Sequence, residues 1–151
     1  PCYQNLANAE ITKVALPNDG GEVEVIAGEF DGHKGSAKTF SPVNLLNAKL
    51  KKGTKTAFSF PAEYTTAILM IEGSARVNDG DTVPADNFAM FKRDGETFTV
   101  EALEDAVVLV LSGEPLREPI AAHGPFVMNT REELIEAFDD FNKGKFGYLE
   151  D

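Results

Sequence analysis

Outside its carboxylates and hydroxyls, this 151-residue chain has few groups that could act as a ligand, nucleophile or base: His33, His123, Cys2 and the amine of Pro1. Histidine binds metals and moves protons near neutral pH, and a cysteine attacks as its thiolate when positive charge lowers its pKa. An N-terminal proline becomes a catalytic base when its amine is buried. His33 lies in the glycine-flanked turn "FDGHKG", where an exposed side chain is expected. His123 lies in "AAHGPF", read as a connecting segment without a regular ladder, so its role is expected to be a structural hydrogen bond rather than metal or substrate contact. No cluster of cations surrounds Cys2, which reads as an incidental thiol. Pro1 opens "PCYQNLANAE", which reads as a connecting strand. The start at Pro1 fits either removal of an initiator Met or a cut from a longer chain. No Gly-x-Ser-x-Gly elbow, phosphate loop or Cys/His nucleophile pair occurs.

Charge narrows the partners further. Fourteen Lys and Arg stand against 25 Asp and Glu, a net charge of -11. Such a surface repels a phosphate backbone and offers no basic stripe, which argues against direct nucleic-acid binding. A single cysteine allows no intramolecular disulfide, so a reducing cytoplasm is the expected location. No apolar run approaches the length of a membrane span, and no basic-then-apolar leader is seen. Glu114, Arg117 and Glu118 alternate with Pro115 and Pro119. They read as an ion pair or backbone anchor holding that segment.

The elements that would position these residues are mostly strands. Turn signals recur at "PNDGG" (17–21), "FDGHKG" (30–35), "LKKGT" (50–54), "VNDGDT" (77–82), "KRDGET" (92–97) and "LEDA" (103–106). Asn-Asp-Gly and Asp-Gly supply the positive φ that tight hairpins need. Between them lie short runs rich in β-branched, aromatic or alternating residues, which predict an antiparallel sandwich or barrel of eight or more strands over about 10–112. "EVEVI" and "TFTVEA" alternate as strands with one wet face do, while "AILMI" and "VVLVL" read as buried on both faces. Phe58, Phe60, Ile68, Met70 and Phe88 are candidates to line the barrel lumen, as plain core or as the wall of a small-molecule site. One domain spans 1–151, with a connecting loop at 113–129.

Only the tail departs from this pattern. Thr130 with Glu133 three residues on forms a capping box. Leu134, Ile135, Phe138 and Phe141 then share one stripe, and Lys143-Gly144 closes a helix over about 130–142. The stripe is expected to plug a barrel mouth or cover a sheet edge.

"SGEPLREPIAAHGPFVMNTREELIEAFDDFNKGKFG" resembles the end of the pirin family, where a Gly-Glu-Pro-Leu-x-Glu-Pro loop, a His-Gly-Pro-Phe-Val-Met-Asn-Thr segment and a closing helix follow the second of two cupin barrels. "VIAGEFDGHKGSAKTFSPVNLLNAKLKKG" resembles the opening of that second barrel, and "ILMIEGSARVN" its central hairpin. The resemblance implies an all-β, cupin-type double-stranded β-helix (jelly-roll) barrel with one C-terminal α-helix, and it covers only the C-terminal half of a typical pirin. It further implies that the N-terminal cupin of a full-length pirin holds one Fe-type divalent metal through three His and one Glu. Many bacterial members oxidise flavonols such as quercetin with dioxygen.

Against the cupin motif, Gly53 and Gly73 fall at the outer positions, while Ser59, Pro61 and Thr66 stand where two His and the Glu would be, and Ala89 where the last His would be. A shift of register would turn Phe58 and Phe60 inward, but no His lies between His33 and His123 to use it. Hydroxyls, prolines and alanines hold iron or nickel poorly or not at all. The expectation is therefore a cupin domain with no metal, cofactor or catalytic residue of its own. It would pack on a metal-bearing N-terminal cupin or on a second copy. Alternatives are a wall of a quercetin 2,3-dioxygenase whose Fe site lies elsewhere, or a lumen that binds a small molecule. His123, Glu114, Arg117, Glu118, Phe126 and Asn129 are the candidate structural or binding residues of the tail. The family is also linked to protein partners such as transcription factors, with which an acidic surface is compatible.

Overall fold

Left-handed backbone sits where Asn and Asp were expected to turn the chain: Asn18, Asp19, Asp31, Asn78 and Asp79 all have φ between 47 and 57°. These residues tolerate that region because their short side chains bond locally. The computed structural model describes residues 4–147, so Pro1 and Cys2 lie outside the described residues. Contacts divide the chain into two compact units, Pro1–Pro115 and Leu116–Asp151.

The first unit is built from twelve strands: β1 (Thr12–Ala15), β2 (Gly21–Ala27), β3 (Glu29–Phe30), β4 (His33–Lys34), β5 (Val43–Leu50), β6 (Lys55–Ser59), β7 (Thr65–Glu72), β8 (Ser74–Val77), β9 (Thr82–Pro84), β10 (Phe88–Met90), β11 (Thr97–Ala102) and β12 (Ala106–Gly113). Six make one antiparallel sheet in the order β1-β2-β5-β12-β7-β10, four make a second in the order β6-β11-β8-β9, and β3 and β4 form a small hairpin. This is the cupin jelly roll, two sheets enclosing one core. Val23, Val25, Leu46, Ile68, Met70, Val108 and Val110 of the larger sheet meet Phe58, Ala75, Phe98 and Val100 of the smaller. Gly73 makes the β7–β8 corner at φ 71°, and a Cβ there would strike the Asp105 carbonyl.

Burial on both faces holds for neither run that suggested it. β12 alternates strictly: Ala106, Val108, Val110 and Ser112 are buried, and the residues between them are half-buried. β7 buries Ala67, Ile68 and Met70 but leaves Ile71 43% exposed. Both strands therefore have a solvent-side face that is apolar in composition.

In the second unit, the expected loop 113–129 contains a hairpin, β13 (Ala121–His123) with β14 (Phe126–Met128). Gly124, at φ 56°, opens its two-residue turn, and Pro125 follows with the negative φ its ring imposes. "AAHGPF" is thus a ladder after all. Helix α1 (Arg131–Asn142) follows directly, with both arms of the Thr130/Glu133 capping box formed. It packs on β13 and β14 of its own unit, burying Leu134 and Ala137, whereas Ile135 and Phe141 stay 64% and 60% exposed. The buried stripe is thus narrower than the sequence pattern suggests. No helix among the described residues is long and apolar enough to cross a membrane.

Candidate functional site

Alternation along β6 decides what faces the barrel interior. Phe58 and Phe60 point inward at 1% and 8% exposure, while Ser59 and Pro61 are exposed. The expected placement of Ser59 and Pro61 at ligand positions is therefore corrected by one residue. Ser59 lies on the outer side, where its Oγ accepts from Thr97 Oγ1 at 3.3 Å. On β7 and β10 the inward residues are Thr66, Ile68, Met70 and Ala89. Phe88 is not a lumen residue: it pairs with Leu69, lies out of phase with Ala89 and is 55% exposed.

Rings fill the space these positions define. Phe58 stacks on Phe98 at 5.4 Å and meets Phe30 at 5.4 Å, and Phe91 lies 4.2 Å from Phe98. Thr66 and the buried Ser112 bond each other through their hydroxyls at 2.8 Å. A cavity of about 80 Å³ lies beside Phe60, Tyr64, Phe91 and Phe98, and one of about 350 Å³ beside Phe30, Thr56 and Phe60. A divalent iron or nickel ion needs nitrogen or carboxylate donors. Phe58, Phe60, Thr66 and Ala89 offer one hydroxyl, already taken, so these residues do not fit the metal of a cupin. Among the described residues no group of three His, Cys, Asp or Glu comes together.

The two histidines belong to different units, His33 to the first and His123 to the second. His33 is exposed in β4, and its Nδ1 donates to the Asp31 carbonyl at 2.8 Å. His123 presents its ring edge-on to Phe138 at 5.5 Å, an aromatic contact where a hydrogen bond was expected. Phe126 packs on the same Phe138 at 4.9 Å, with Phe146 and Phe141 just beyond 6 Å. Asn129 ties the unit together: Nδ2 donates to Glu118 Oε2 at 2.9 Å and to the Pro119 carbonyl, and its amide donates to Glu133. The expected ion pair of Glu114, Arg117 and Glu118 does not form. Arg117 sits at φ 55°, Glu118 is held by Asn129, and Glu114 anchors by its backbone amide to the Pro42 carbonyl.

The outer face of the six-stranded sheet carries the features that sequence reasoning missed. One cross-strand row runs Phe88, Leu69, Leu109, Asn47, Glu24, Lys13. Its acidic member, Glu24, is only 6% exposed. It accepts from Lys49 Nζ at 2.6 Å and Asn47 Nδ2 at 2.7 Å, with Lys13 Nζ at 3.1 Å. Burial pushes its pKa up, but the hydrogen bonds from Lys49, Asn47 and Lys13 and the charge of Lys49 outweigh this and bring it down to about 2. The other half of the row and its neighbours are apolar, with Phe88 55%, Met90 68% and Ile71 43% exposed. The "EVEVI" alternation hints at a wet face, but only register reveals that Glu24 meets Asn47 and that Leu109 meets Leu69.

A jelly roll of twelve strands with a ring-filled interior is a cupin barrel. The model of the Pirin C-terminal cupin domain matches residues 45–147. The chain belongs to the pirin family. A solved quercetin 2,3-dioxygenase from Acinetobacter baumannii superposes with TM-score 0.91 at 44% identity, over 99% of this chain and 52% of its own. A protein from Pseudomonas aeruginosa is 42% identical over 97% of this chain and 51% of its own length. Pirin from Rattus norvegicus is 37% identical over 98% and 52%. The chain thus spans about half the length of the relatives it matches.

Proposed function

We propose that this chain is the scaffold half of a pirin-type protein: a cupin domain that holds no metal and serves by packing against a metal-bearing domain of the kind that completes its relatives. The observation that carries this reading is the pair Phe58 and Phe60. Phe58 of β6 and Phe60 just beyond it point inward, each one residue from the Ser59 and Pro61 that the motif aligns with His-x-His, and both are buried. Chemistry on a flavonol, the activity for which the Acinetobacter baumannii relative is named, then belongs to the remainder of such a protein, with this domain shaping the neighbouring wall. An iron-type metal would sit in that remainder. The cavity beside Phe60, Tyr64, Phe91 and Phe98, about 80 Å³, is smaller than the roughly 300 Å³ or more that drug-sized ligands occupy.

Metal analysis of the purified chain, with quercetin turnover under dioxygen measured on the same sample, tests the reading. The expected result is no stoichiometric transition metal and no turnover. Stoichiometric iron or nickel with turnover would overturn it.

A further inference from the structure

We propose that the Asp94–Gly95 step, in the loop between β10 and β11, is a modification site: there the backbone isomerises through a cyclic imide to isoaspartate, the substrate of an isoaspartyl carboxyl methyltransferase. The site is independent of the scaffold reading above, because it follows from the conformation of the turns alone.

Aspartate followed by glycine is the pairing most open to this reaction, since no side chain shields the glycine amide. The chain has four such steps: Asp19–Gly20, Asp31–Gly32, Asp79–Gly80 and Asp94–Gly95. Ring closure needs the glycine nitrogen on the same side of the Cα–C bond as the aspartate Cβ. Left-handed backbone, at φ of about +57° and ψ of about +47°, does the opposite and sets that nitrogen nearly trans to Cβ. Asp19, Asp31 and Asp79 are held in that region, with φ 56, 47 and 57°. Each of these three steps is also tied down. Gly20 is buried, and its amide donates to the Pro17 carbonyl at 3.1 Å. Asp31 and Gly32 make the two-residue turn of the β3–β4 hairpin, where the Asp31 carbonyl accepts from His33 Nδ1 at 2.8 Å. The Gly80 amide donates to the Val77 carbonyl at 2.9 Å, and Lys55 Nζ holds the Asp79 carboxylate at 2.5 Å.

Asp94 differs on each count. Neither it nor Gly95 has a positive φ, both are exposed, and a Cβ at Gly95 would meet nothing within 4 Å. Among the described residues no hydrogen bond engages the Gly95 amide or the Asp94 carboxyl. An exposed loop without such bonds opens locally at little cost, so this backbone can turn into the reactive geometry. In the step itself the Gly95 nitrogen bonds to Asp94 Cγ, and its proton leaves with the carboxyl hydroxyl as water. Water then adds to one of the two ring carbonyls and the C–N bond there breaks. Opening at Cγ restores aspartate; opening at the main-chain carbonyl leaves the chain running through Cβ and Cγ with the α-carboxylate free. Water is the only co-reactant, and the mass is unchanged. The product lengthens the main chain by one methylene between Phe91, which lies 4.2 Å from Phe98, and Glu96, whose carbonyl accepts from the Phe60 amide at 2.8 Å.

The test ages the purified chain, warm and at neutral pH, once folded and once unfolded in guanidinium chloride. Isoaspartate is counted with an isoaspartyl carboxyl methyltransferase and labelled S-adenosylmethionine, and located by peptide mapping with electron-transfer fragmentation. In the folded chain the expected result is several times more isoaspartate at position 94 than at any other Asp–Gly step, with near-equal amounts at all four in guanidinium. Asp94→Glu keeps the charge but would have to close a larger, slower ring, so the folded variant should lose most of the signal. The aged parent chain should also melt below the aged variant, because of the methylene added beside Phe91. Equal accumulation at the four steps of the folded chain would show that the left-handed turns give no protection. A lead for position 94 that persists in guanidinium would show that neighbouring sequence, not the fold, selects the site. Either result would overturn the proposal, as would an undiminished signal in Asp94→Glu.

Discussion

Replacing Glu24 with Gln should destabilise the folded chain at neutral pH and cost almost nothing in acid. The folded carboxyl titrates at about 2 against an ordinary 4.5. A difference of that size corresponds to roughly 3 kcal/mol of stability. Its lysine partners are 39% and 45% exposed, so water screens the attraction and the expected contribution falls to about 1–2 kcal/mol. Because the pKa is lowered in the folded state, this contribution is fully present above about 4.5 and is lost as the pH falls towards 2. Urea unfolding of both proteins at pH 7 and at pH 2.5, at one ionic strength, reads it directly. Other carboxylates titrate in both chains and cancel in the comparison. The expected gap is about 1–2 kcal/mol at pH 7, shrinking to a few tenths at pH 2.5. A gap of the same size at both pH values would refute the assignment, for it would show that Gln is penalised for packing rather than for lost charge.

Three further outcomes can be checked by the same unfolding measurements. Gly73→Ala should destabilise by about 2 kcal/mol or more, because it combines positive φ with a blocked Cβ, whereas Gly53→Ala, at φ 82° with nothing within 4 Å, should cost only about 1 kcal/mol. Equal losses at the two sites would mean that contact at the Asp105 carbonyl contributes nothing. Ser112→Ala and Thr66→Val should each cost about 1–2 kcal/mol, and the double variant less than their sum, since each single change strands the other hydroxyl of the part-buried pair. Strict additivity would show that the two hydroxyls are not bonded. Thr130→Ala should cost about 1 kcal/mol by opening the capping box, and helix content followed by circular dichroism should fall with it. The backbone amides of Thr130 and Asn129 hold the Glu133 carboxyl below its usual range, so Glu133→Gln should lose most of its effect in acid.

The barrel is legible in the sequence because its signals are local. Asn-Asp-Gly and Asp-Gly turns place the hairpin corners, and the runs "EVEVIAG", "TFTVEA" and "AVVLVLSG" coincide with β2, β11 and β12 to within a residue. Thr130 and Glu133 place the start of α1 for the same reason. What the sequence hides is set by pairing across distance. Whether Phe58 or Ser59 faces inward depends on where β6 enters its sheet, and a slip of one residue exchanges the two faces of a strand. Phe88 looks like lumen when "NFAMF" is read as an apolar run, yet its register against Leu69 turns it outward. The Glu24 cluster draws on three strands, and no local pattern links Lys13, Glu24 and Lys49. The β13–β14 hairpin was missed because each strand is only three residues long and a proline follows the turn glycine.

The interior and the outer face are two sides of one constraint. A cupin that binds a metal must keep polar ligands inside its barrel, and a buried imidazole or carboxylate without its ion costs several kcal/mol. Losing one ligand therefore leaves the others unstable, and large apolar side chains are the replacement that restores packing. Phe58, Phe60, Phe91 and Phe98 fill this interior with ring contacts between 4.2 and 6.3 Å, and Thr66 and Ser112 pair their hydroxyls. Nothing about a closed core requires water-facing positions to be apolar. Leu69, Ile71, Phe88, Met90 and Leu109 hold such positions at a cost in solubility for a free-standing domain. The packing of the barrel core does not by itself account for them.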